Sequence, residues 1–110
     1  MATVFKNVLQ SGVGTTPSTV LTTASNAKTT VIGLSLTNII DSVILVSILV
    51  EDTVALTSAY FIKDVILPPN ESLRVVNGGE RLVLGASTSI TLSANIDNSV
   101  DLVMSYVEIV

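Results

Sequence analysis

Residues 31–50 read VIGLSLTNIIDSVILVSILV, and the fold turns on this stretch. Ile32, Leu34 and Leu36 alternate with Gly33, Ser35 and Thr37, the period-two pattern of a half-buried strand. Thr37 and Asn38 on one side of Ile39-Ile40, and Asp41 and Ser42 on the other, carry short polar side chains that bond nearby backbone, which predicts a turn. Beyond it, Val43, Leu45 and Leu49 fall on one face, while Ile44, Val46, Ile48 and Val50 fall on the other. Only Ser47 interrupts the apolar cover. Antiparallel sheets commonly keep one face solvated, so a strand apolar on both sides predicts a second layer, or a second subunit, over it. The stretch is as long as a bilayer-spanning helix. Asn38 and Asp41 near its centre, and its β-branched residues, favour strands instead.

Upstream, residues 2–10 predict a strand with Val4, Lys6 and Val8 on one face and Phe5, Asn7 and Leu9 on the other. Residues 11–18, SGVGTTPS, read as a loop, 19–23 as a short strand and 24–28 as a polar turn. Downstream, residues 53–67 become strand-like from Ala59, and Pro68-Pro69-Asn70 ends that strand. Residues 73–76 and 81–84 read as two arms about the hairpin signal Asn77-Gly78-Gly79. A turn follows at 85–88. Residues 89–96 put Ile90, Leu92, Ala94 and Ile96 inward, 97–99 turn again, and 100–110 form the closing strand. Eight or nine short strands without a helical period predict an all-β domain over residues 1–110. The expected architecture is a two-sheet antiparallel β-sandwich of jelly-roll type.

Hydrophobic residues make up 48% of the chain and charged residues 13%, about half the usual charged share of roughly 25%. So few charges predict a surface covered in part by copies of the chain or by a partner. Lys6, Lys28, Lys63, Arg74 and Arg81 are scattered, and the net charge is −4. Nucleic-acid binding needs clustered cations and is not expected; nor is membrane insertion. The opening MATVFKNVLQ lacks a basic segment followed by an apolar core, so it does not read as a secretory signal. The chain has no cysteine, which excludes disulfides and thiolate chemistry.

The sequence contains no histidine, which removes triad and imidazole acid–base chemistry and leaves any zinc site to carboxylates alone. Gly12-Val13-Gly14 is too short for a phosphate loop. Asp41, Glu51 and Asp52 are the paired carboxylates available, but neighbours on a strand point to opposite faces, so solvation of the strand end is their expected role. Asp97, Asn98 and Asp101 offer too few oxygens for calcium and read as a turn. Tyr60, Phe61 and Tyr106 could form a sugar-stacking platform, against a default of core packing. No catalytic residue, cofactor or metal is expected. Arg74 and Arg81, with Glu71 and Glu80 nearby, read either as a solvated hairpin or as a polar contact patch.

VIGLSLTN with its following apolar strand, VILPPNESLRVVNGGERLVL, and VDLVMSYVEI resemble small virion structural proteins of tailed bacteriophages, of the marine and cyanobacterial type. Gly85-Ala86-Ser87 stands where such proteins often carry an acidic glycine turn. The resemblance implies no enzyme activity and no catalytic residue. It implies a virion protein made in the host cytoplasm, most specifically a capsid decoration (cement) protein. Such a protein is expected to form a homo-oligomer, a trimer, and to clamp subunits of the major capsid protein. A neck, tail, baseplate or fibre component is the alternative within the virion. A carbohydrate-binding β-sandwich is the alternative from another class. Candidate interface residues are Phe5, Val43, Leu45 and Leu49, with Arg74 and Arg81 as the polar patch.

Overall fold

Each segment expected to be a strand is one: most carry the two-residue period, the second half of the 31–50 stretch is apolar on both faces, and glycine, proline or short polar residues bound them. The computed structural model describes residues 2–77 and 80–110. Among them the elements are β1 (Thr3–Val13), β2 (Ser18–Thr22), β3 (Lys28–Asn38), β4 (Ile44–Asp52), β5 (Thr57–Leu67), β6 (Ser72–Val76), β7 (Leu82–Leu84), β8 (Thr88–Ala94) and β9 (Val100–Ile109). They form two antiparallel sheets. The first runs β1-β9-β3-β6, with β7 also on β3, and the second runs β2-β8-β4-β5. The described chain is all-β, and the sheets pack face to face as a β-sandwich.

The core lies between the sheets. Leu34 and Leu36 of β3 and Leu102 and Met104 of β9 meet Ile44, Val46 and Ile48 of β4 and Ile90 and Leu92 of β8, all buried. The decisive stretch is therefore split. Its two strands do not pair with each other but lie in opposite sheets, and residues 39–43 cross between the layers.

Asn38 holds that crossing. Its side-chain amide donates to the carbonyls of Ser42, Leu67 and Pro68 at 2.8, 3.1 and 3.1 Å, and its Oδ1 accepts from the Ile40 N–H at 3.0 Å. An interior carbonyl without a donor is costly. One asparagine thus satisfies the end of β5 as well as its own turn.

Four details depart from the sequence reading. A register shift between Val31 and Gly33 turns Val31 into the core, and Ile32 out of the inward row it shares on paper with Leu34 and Leu36. β1 continues through Ser11 and Gly12 to Val13, where a loop was expected. The continuation uses a bulge with Gly12 at φ +64°, a left-handed conformation that glycine adopts without cost. The arms at 73–76 and 81–84 are not a hairpin. β6 pairs with Leu34–Thr37 and β7 with Thr29–Val31, so they follow one another along the same edge of β3. Gly78 and Gly79 of the expected turn lie outside the described residues. Finally, of the three aromatics expected by default in the core, only Tyr106 is buried, since Tyr60 and Phe61 are exposed.

Candidate interaction surfaces

The outward faces of the two sheets are where the apolar excess of the sequence goes. On β4 the inner row is Ile44, Val46 and Ile48, so the period of two sends Leu45, Ser47 and Leu49 outward. Val43, just before the strand, is exposed, while Leu45 and Leu49 are half-buried. Edge strand β5 sets Ile66 opposite Leu45 and Tyr60 opposite Leu49; these side chains are 65% and 54% exposed. The Lys63 ammonium sits 5.3 Å from the Tyr60 ring centre, within cation–π range. Between the two apolar pairs, Ser47 Oγ accepts the Asp64 N–H at 2.9 Å, where β5 bulges and Asp64 takes a φ of 49°. The lone serine in the apolar run thus satisfies a bulge on the edge strand.

The first sheet carries the second surface. β1 alternates across its pairing with β9, placing Phe5 beside Val107 and Leu9 beside Val103. Phe5 is 76% and Leu9 70% exposed. On the other face of β1, the Lys6 ammonium donates to Glu108 Oε1 at 3.0 Å; this bond, foremost, holds the lysine above its ordinary pKa. Towards β6 the same outer face sinks at Gly33, where a groove is lined by Ile32, Ser35, Arg74, Val103 and Ser105. Arg74 lies opposite Ser35 on β6, and Arg81 is exposed just before β7.

The six candidate interface residues therefore do not form one patch. Leu45 and Leu49 belong to the second sheet, with Val43 in the crossing just before it, Phe5 belongs to the free edge of the first, and Arg74, with Arg81 just before β7, to the far edge of the first. The sequence reading did not single out Leu9, Ile66, Val103 or the β4–β5 hairpin tip. That tip presents Val54 and Leu56, each 78% exposed. Asp52 shapes it, accepting the N–H groups of Val54 and Ala55 at 3.0 Å each, while the Thr53 N–H and hydroxyl reach the Ser87 carbonyl at 2.9 and 2.7 Å. A usable signal existed for Val103. Residues 102–107 are apolar in both alternating rows, as in β4, so one row must face away from the core.

The acidic turn is occupied by the chain itself. Asp97 Oδ1 accepts the Thr15 N–H and hydroxyl, both at 2.8 Å, and Asp101 Oδ1 accepts the Gly12 N–H at 2.9 Å. A Cβ on Gly14 would come within 2.6 Å of Asp97 Cα, so the close approach of these loops requires glycine there. Among the described residues, no group of three metal-ligating side chains converges, and no helix is long and apolar enough to cross a membrane.

The Thr15 main-chain bond, and next its hydroxyl bond, hold the Asp97 carboxyl below the usual aspartate range. A carboxylate with a depressed folded pKa adds stability above its unfolded pKa and loses it as the pH falls through the folded value. The effect is confined to acid. Following side-chain carboxyl signals by NMR, Asp97 should titrate below a free aspartate, and Thr15→Ala should move its midpoint partway up. An unmoved midpoint would show that the hydroxyl bond is not made in solution.

The chain matches no protein-family model, no curated protein and no solved structure.

Proposed function

We propose that this protein is a non-enzymatic structural component of a tailed-phage virion, a capsid decoration protein that works by laying apolar sheet faces against neighbouring subunits. The observation that carries the reading is the placement of Ile66 and Tyr60 on the outside of one sheet, with Val43 exposed at the entry to β4, and of Phe5, Leu9 and Val103 on the outside of the other. Large exposed apolar side chains clustered on a sheet mark contact surfaces. Two such faces on opposite sides of one small sandwich suit a clamp between two neighbours. Repetition over a shell multiplies modest contacts into a large resistance to disassembly.

We also read the connectivity as a jelly roll. The pairs β4·β5, β3·β6, β2·β8 and β1·β9 nest like the rungs of one long hairpin, and β3·β9 and β4·β8 are the contacts made when that hairpin rolls up. Viral capsid domains and lectins both use this architecture, so it fits a virion role and a glycan-binding one alike.

The test is copy number per purified particle, measured by mass spectrometry against the major capsid protein. Decoration predicts a number comparable to that protein. A few dozen copies would move the protein to the neck, tail or baseplate, and absence from particles would overturn the virion reading. For isolated shells, Ile66→Lys is expected to cut occupancy at least tenfold while leaving the melting curve intact, because a lysine there replaces an apolar contact with a hydrated charge.

Exposed Tyr60 and Phe61 favour one second reading, a glycan-binding sandwich. A glycan-array signal lost in Tyr60→Ala would establish it in place of the first.

A further inference from the structure

An antiparallel sandwich leaves strand edges with unpaired main-chain groups, and natural sheets blunt them with short strands, bulges, proline or charge. Three edges here are blunted. β2 is 5 residues long, follows Pro17 and shifts register between Thr19 and Leu21. β5 shifts register twice and carries a left-handed Asp64. The edge beyond β3 is divided between β6 and β7, of 5 and 3 residues. β1 differs. Its register against β9 runs unbroken from Thr3 to Gln10, and the bulge comes only after that. It contains no proline there, and its one charge, Lys6, is held by Glu108.

The hydrogen-bonding direction of each β1 residue follows from one observation. Ala2 and Val110 exchange both main-chain bonds, at 2.8 and 3.0 Å. Antiparallel pairing alternates, so Val4, Lys6 and Val8 also bond to β9. Phe5, Asn7 and Leu9 aim their N–H and C=O groups away, at the open edge.

We propose that β1 pairs antiparallel with β1 of a second copy, about a two-fold axis at Asn7, joining two first sheets into one. Only registers that match outward-bonding residues are allowed. Centring on Lys6 would set two ammonium groups opposite one another, which is unfavourable. Centring on Phe5 shortens the overlap, and centring on Val8 faces Phe5 with Ser11. Centring on Asn7 sets Phe5 opposite Leu9 of the second copy, twice. These two residues are the most exposed apolar side chains of β1. Because Val107 flanks Phe5 and Val103 flanks Leu9, each row becomes Val107–Phe5–Leu9–Val103, continuous across the seam.

The contact has a predictable strength. A dozen residues per copy bury roughly 900 Å² in total at the usual area per interface residue, just below the roughly 1,000 Å² of a stable specific contact and in the range of weak, transient ones. About six main-chain bonds at Phe5, Asn7 and Leu9 of the two copies add to it. The solution species is a weak, dilution-sensitive dimer, in place of the trimer that the resemblance implies. This inference stands on the edge geometry and is independent of the virion reading.

The chain has no cysteine, which makes a cross-linking test direct. Facing residues of a hydrogen-bonded antiparallel pair have Cα atoms about 5.5 Å apart, within the range of about 4.4–6.8 Å that a disulfide spans. Asn7→Cys should therefore cross-link under mild oxidation at least tenfold faster than Phe5→Cys, whose two copies lie about 14 Å apart. Asn7→Pro removes an outward N–H and fixes φ at about −65°, which an edge strand tolerates, so it should keep the circular dichroism spectrum and melting curve while abolishing the dimer in sedimentation velocity. Equal cross-linking rates, a wild-type monomer at high concentration, a trimer, or a dimer that survives Asn7→Pro would each overturn the proposal. None of these outcomes depends on particle copy number, so the two readings fail separately.

Discussion

Replacing Asn38 by leucine is expected to lower the free energy of unfolding by about 3–5 kcal/mol, a large part of the roughly 5–15 kcal/mol that a small domain possesses. Leucine is no smaller than asparagine, so the loss does not come from a cavity. It comes from stranded groups. The carbonyls of Ser42, Leu67 and Pro68 lose their common donor, and the Ile40 N–H loses its acceptor. Each buried group left without a partner costs about 1–3 kcal/mol, and less where water can reach it. The Leu67 carbonyl, whose bond is fully buried, should dominate. Urea unfolding followed by circular dichroism measures the change. A loss below about 1 kcal/mol would mean that the crossing finds other partners and that Asn38 is not its clamp.

Ile48→Ala should cost about 3–4 kcal/mol, because β4 lies inside its sheet, between β8 and β5, and Ile48 is wholly buried against the opposite layer. The informative comparison is its neighbour. Leu49 points to the outer face and is half-buried, so Leu49→Ala should cost only about 1 kcal/mol from the smaller area returned to water. Both are apolar residues of the same strand, adjacent in sequence. Equal losses would mean that a second subunit covers the outer face in solution as fully as the second sheet covers the inner one.

The positions of the strands were legible because a strand writes its period directly into the chain. The alternation of Ile90, Leu92 and Ala94, and of Leu34 with Leu36, needs no partner to be recognised. Bulges and pairings were less legible. Nothing around Val31 and Ile32 announces which of two adjacent β-branched residues turns inward, because both fit either face. That choice is made by the pairing with β9. Asn77-Gly78-Gly79 is a local turn signal, yet whether the chain returns on itself or moves along β3 depends on bonds to residues far earlier in the chain. The exposed aromatics escaped for a related reason. A burial tendency belongs to a residue type, and Tyr60 and Phe61 lie on the edge strand β5, with sheet on only one side.

Of the interaction surfaces, the two-sided apolar character of β4 was readable, and the outer row of Val43, Leu45 and Leu49 could be written down as a set. Its facing residues Ile66 and Tyr60, and the separation of Phe5 and Arg74 onto another sheet, could not. Side-chain alternation is a property of one strand. Which row packs inward, and which strands become neighbours, are properties of how the described strands share two layers, and long-range pairing sets them. Residue order alone carries the all-β class, the strand boundaries to within a few residues and the apolar excess. The partition into two sheets, the buried amide at Asn38 and the open edge at β1 exist only once distant segments meet, because hydrogen bonds and packing join residues by position in space.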